Sequence, residues 1–127
     1  MRTSSRLSCL KLVTEHFDKL KTSTSKELRR KALLEFARLA SLSMCRTGEL
    51  NGLSKVVRDL AAYISTEPAK DMREDFLAIV RSEQHEGPPT QLLASLLQCP
   101  ELADKVRNEM RSVWLKRTGS HAFSCHF

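Results

Sequence analysis

Apolar residues recur at three- and four-residue spacing from Leu7 to Val113, and no stretch alternates apolar and polar as a half-buried strand would. The pattern predicts an all-α chain of about six helices. Leu7, Leu10, Val13, Phe17 and Leu20 follow cap candidates at Ser4 and Ser5 and predict a helix over 5–21. A second helix over 25–44 carries Leu28, Ala32, Phe36 and Leu39. Thr24 with Glu27 three residues on fits a capping box, in which hydroxyl and carboxylate each satisfy an otherwise orphan N–H. Glu27, Lys31 and Glu35 are spaced to pair at i,i+4 on its wet side. Gly48 reads as a stop or turn before a third helix over 49–64 with Leu50, Leu53, Val57, Leu60 and Ile64. Ser65-Thr66-Glu67-Pro68 stops that helix and starts a fourth over 67–84, whose stripe is Ala69, Met72, Phe76, Ile79 and Val80. Beyond Gly87-Pro88-Pro89 a short fifth helix over 90–98 crowds together Leu92, Leu93, Leu96 and Leu97, a density suited to a nearly buried or partner-facing helix. Pro100 opens a sixth over 100–117, with Leu102, Val106, Met110 and Val113 inward and Lys116-Arg117 before Gly119, where cations suit the helix dipole.

These elements predict one compact domain over 1–119, built of helical hairpins, and a flexible tail over 120–127 that lacks periodicity. A shift of 43 lays the first stripe over Leu50, Leu53, Val56, Leu60 and Tyr63, and a shift of 44 lays Leu28, Ala32 and Phe36 over Met72, Phe76 and Val80. Such a period falls among helical-hairpin repeats of the HEAT and armadillo kind, so a short solenoid-like stack stands beside a closed bundle. Any two amphipathic hairpins of similar length match in the same way.

A chain of 127 residues with 41% hydrophobic and 28% charged content can bury a core without metal or disulfide staples. Cys9, Cys45, Cys99 and Cys125 are widely spaced and follow no leader-like apolar run, which predicts reduced thiols in an intracellular setting, cytoplasmic or nuclear. The early Arg2, Arg6 and Lys11, with serines and no acid before Glu15, also resemble a mitochondrial targeting peptide, but the stripe runs on past Glu15 and Asp18 without a cleavage-like break. No apolar run approaches the length of a membrane span.

Charge is the more informative quantity. The net +6 divides into thirteen basic against six acidic residues over 1–60, three against eight over 61–104, and five against one over 105–127. The result is a basic front and an acidic middle. Lys26, Arg29 and Arg30 fall within about 100 degrees of one another on a helical wheel, with Lys19 and Lys21 just before them, and such cations could address a phosphate backbone together. The alternatives for this cluster are a solvated face and i,i+4 pairing. Asp71, Glu74 and Asp75 read as outward on the fourth helix. Glu83 and Glu86 lie near its C-terminus, where the dipole disfavours acids.

Catalytic chemistry finds no foothold. His16, His85, His121 and His126 have no partners at zinc-site spacing, and the tail's His121, Cys125 and His126 could hold a transition metal only weakly. The cysteines lack a visible base and read as small core hydrophobes. The sequence therefore predicts a non-enzymatic interaction module, without cofactor or metal, that docks another protein through an apolar groove or a charged face. The alternative is a basic accessory protein that binds duplex RNA or DNA with low specificity through Lys19, Lys21, Lys26, Arg29 and Arg30.

Overall fold

The computed structural model describes residues 9–41, 47–83 and 86–118. Ser4, Ser5, Leu7, residues 42–44, Cys45, His85, Gly119 and the 120–127 tail, on which sequence expectations fell, lie outside the described residues. The described chain is all-helical: α1 (Cys9–Thr22), α2 (Lys26–Ser41), α3 (Leu50–Ile64), α4 (Lys70–Ser82), α5 (Pro88–Leu97) and α6 (Asp104–Thr118). Short 3-10 turns at Thr47–Glu49 and Glu67–Ala69 lead into α3 and α4.

α1 packs against α2, α3 against α4, α4 against α5 and α5 against α6, but contacts also skip along the chain. α2 packs against α1, α4 and α5, and α5 touches α2, α3, α4 and α6. In a solenoid the first and third hairpins would be held apart by the second. The extensive α2–α5 contact instead closes the molecule into a bundle with the leucine-rich α5 near its centre. Leu92, Leu93 and Leu96 are buried there beside Phe36, Phe76, Leu60 and Met110. Phe17 joins three helices: its ring meets Phe36 edge-on at 6.3 Å and Tyr63 at 6.1 Å.

Gly52 lies inside α3 because α1 comes close there: a Cβ on it would stand 2.5 Å from Leu10 Cδ2. The absence of a side chain at Gly52 leaves that room to Leu10. Other expectations shift by a residue or a turn. Ser25, not Thr24, caps α2, its Oγ accepting the Leu28 N–H at 3.3 Å, so Glu27 stands in the first turn without closing a box. Leu28 is then 59% exposed, and Leu33 and Ala37 join Ala32, Phe36 and Leu39 in the core. Ser65 and Thr66 do not cap the following turn; their hydroxyls donate backward to Ala61 O at 2.9 Å and Tyr63 O at 2.6 Å. Pro100 does not begin the last helix, which starts at Asp104 after a turn that buries Leu102.

Helix ends are closed by side chains from elsewhere in the bundle. Buried Arg73 of α4 donates Nη1 to Ile64 O at 2.7 Å at the end of α3, and its Nε lies 3.5 Å from Glu109 of α6. Arg107 of α6 gathers the end of α5 and the next turn, donating to Leu97 O, to Cys99 O at 2.7 Å and to Leu102 O at 2.9 Å. Each places a cation where terminal carbonyls sum to partial negative charge. Glu83, anomalous as an acid at the end of α4, serves the opposite end of α5: its Oε1 accepts the Thr90 N–H at 3.2 Å and hydroxyl at 2.5 Å. This is a helix N-terminus satisfied by a carboxylate, with Pro88 and Pro89 filling positions that need no donor.

Candidate functional site

The predicted stripe of α3 divides in two. Leu60 and Ile64 are fully buried, together with Ala61, and Val56 nearly so, while Leu50 is 49% exposed and Leu53 and Val57 are half-buried. The N-terminal half of the stripe thus lacks a covering element among the described residues. It forms one wall of a half-open cleft of about 480 Å³. α5 supplies the opposite wall through Leu92 and Ser95, Ala40 of α2 closes one side, and Cys99-Pro100 of the turn after α5 another. Arg107 ties that turn to the end of α5 by holding the carbonyls of Leu97, Cys99 and Leu102.

The surface is apolar on the floor and polar at the rim, where Ser54, Gln91, Ser95 and Gln98 stand. Among the described residues Arg58 is the one charged side chain lining the cleft, and no carboxylate lies within ion-pairing distance of it. Cys99 donates its thiol to Ser95 O at 3.4 Å. Burial, and then Glu101, push that thiol above its ordinary range, so it presents a neutral wall and not a thiolate. The arrangement can bury apolar side chains and meet an anion at one point.

Three of the five cations singled out in the sequence are engaged by carboxylates in the fold. Lys26 and Arg29 turn toward α4, where both engage Asp75 at 3.5 Å and 3.2 Å. The Arg29 and Asp75 side chains retain only 19% and 15% exposure. A shallow cleft of about 270 Å³, lined by Lys26, Arg29, Asp71, Glu74 and Asp75, marks this seam. Asp75, read as outward, is an inter-helix partner; Asp71 and Glu74 are exposed. Lys21 lies 3.6 Å from Asp18 and 4.3 Å above the Phe17 ring. Lys19 and Arg30 are exposed. The i,i+4 pairs expected around Lys31 give way to Glu35 with Arg38, 2.7 Å apart, and the Arg38 hydrogen bond holds the Glu35 carboxyl below its ordinary range.

Among the described residues no group of three His, Cys, Asp or Glu side chains is placed to hold a metal ion, and no helix is long and apolar enough to cross a membrane. The cleft was missed in sequence because its walls come from α2, α3 and α5, and Arg58 gave no local signal. The only legible sign was a stripe longer than its partners cover. Comparison with protein-family models finds no match, and comparisons with curated proteins and with solved structures find no significant similarity.

Proposed function

We propose that this chain is a non-enzymatic docking module that takes a segment of another protein into the cleft between α3 and α5. The observation carrying this reading is the half of the α3 stripe that no described residue covers: Leu50, Leu53 and Val57 continue a core face beyond the core and line a half-open groove. A groove walled by two helices suits helix-in-groove recognition, in which apolar anchors supply affinity and a polar rim supplies register. Phosphate binding from α2 has less support, because Asp75 engages two of its five cations.

The test is capture from cell lysate by the full chain and by a Leu50→Gln/Ser54→Trp variant, whose changes fall on exposed positions of the groove wall. Proteins retained after nuclease treatment and at moderate salt, and lost with the variant, are the expected result. Retention that vanishes with nuclease, or that ignores the variant, overturns the reading. Nucleic acid held through several phosphates would also be released steeply by salt.

A further inference from the structure

The cleft carries a charge signature as well as a shape. Of its described lining residues only Arg58 is charged, it stands at the end of the α3 wall away from Leu50, and no described carboxylate pairs with it. The nearest acid on α3, Asp59, is taken by Lys55 at 3.1 Å. Glu101, which acts on Cys99, does not line the groove. A lone guanidinium beside low-dielectric apolar walls projects its field along the groove and offers a planar fork to a carboxylate.

Resting on the docking reading above, we infer that the occupant is an acidic amphipathic helix: two apolar side chains one turn apart over Leu53 and Val57, followed by an Asp or Glu that reaches Arg58. The dimensions agree. From Leu53 to Arg58 the α3 wall rises about 7.5 Å, which seats anchors at i and i+4 over Leu53 and Val57 and leaves the long Arg58 side chain, at the level of the second anchor, to meet a carboxylate in the occupant's next turn. A free small carboxylate fits less well, because sites for such ligands enclose most of the ligand, and among the described residues this groove is only half enclosed.

The experiment is selection of a displayed random-peptide library, about sixteen residues long, on the full chain, with removal of peptides that also bind a Ser54→Trp variant. Circular dichroism first confirms that the variant is folded. Enriched peptides should share an i,i+4 apolar pair and an Asp or Glu. Replacing that acid by Lys should weaken binding about tenfold, and Arg58→Glu should restore the Lys peptide while weakening the original. Groove-dependent peptides with no acidic preference, or an acid whose reversal Arg58→Glu does not answer, overturn the inference and leave the docking reading standing. If no enriched peptide responds to Ser54→Trp, both fall.

Discussion

At the scale of single residues, two side chains show how closely the connections are fitted. Gly87 is extended, with φ of −121°, so its value is not a left-handed backbone; a Cβ there would lie 2.5 Å from Glu83 Oε2. A Cβ there would press on the carboxylate whose other oxygen holds Thr90. Gly87→Ala should therefore cost about 1 kcal/mol, the scale of a lost charge-assisted cap. In a Glu83→Ala background the same change should be neutral or slightly stabilising, because alanine restricts the unfolded chain. Equal costs in the two backgrounds, from urea midpoints, would show that the contact is not the cause. His16 offers a second test. Its Nδ1 is buried without a hydrogen-bond partner, and burial, then Lys19, lower its pKa below the ordinary 6.5, against the opposing pull of Glu35 and Glu15. A histidine with a depressed folded pKa binds fewer protons native than unfolded, so stability is full above about pH 6.5 and falls as pH drops from there toward the folded pKa. His16→Gln should flatten that loss below about pH 6.5; an unchanged slope in thermal melts would assign it to other groups.

At the scale of elements, helix identity was legible throughout, and helix facing much less so. The stripes of α4 and α6 held at every position, because each is covered along its length. Those of α2 and α3 slipped where a cap moved by one residue or where a neighbouring helix ended, and periodicity carries neither fact. Phe36 and Phe76 are fully buried, and truncating either to alanine should cost about 3 to 5 kcal/mol, read from denaturation midpoints. The seam between α2 and α4 calls for a different balance. Spacing alone placed Lys26 and Arg29 on one face, but could not say that Asp75 of α4 meets it. Arg29→Gln leaves a mostly buried carboxylate with only the mobile Lys26 ammonium, whose own side chain is 72% exposed, and should cost about 1 to 2 kcal/mol. Lys26→Gln should cost less than about 0.5 kcal/mol. Equal and negligible losses at both positions would show that the seam is a solvated surface.

At the scale of the whole molecule, the charge blocks along the chain fold partly onto themselves. The basic start of α2 meets the acidic α4, so a dipole drawn from linear sequence overstates the field left for a partner. Closure follows from contacts that no local pattern announces. The correspondence between hairpins at a shift of 43 reflects shared amphipathicity, whereas α2 against α5, with Phe36, Leu92, Leu93 and Leu96 all buried, ties the first hairpin to the third. Arg73 on Ile64 and the Ala103 N–H on Ser65 Oγ, at 2.7 Å and 2.9 Å, lock the end of α3 to α4 and to the start of α6. A bundle joined in this way should unfold as one unit, whereas stacked hairpins could melt one by one. The chain contains a single tryptophan, Trp114, on α6 and packed against the core, so its fluorescence reports the last hairpin while far-UV circular dichroism reports every helix. In urea the two transitions should coincide in midpoint and slope, and fall together in Phe36→Ala even though that residue lies on α2. A tryptophan transition that stays in place while the dichroism midpoint falls would mean that α6 unfolds independently, and that the α2–α5 contact does not couple the ends of the molecule.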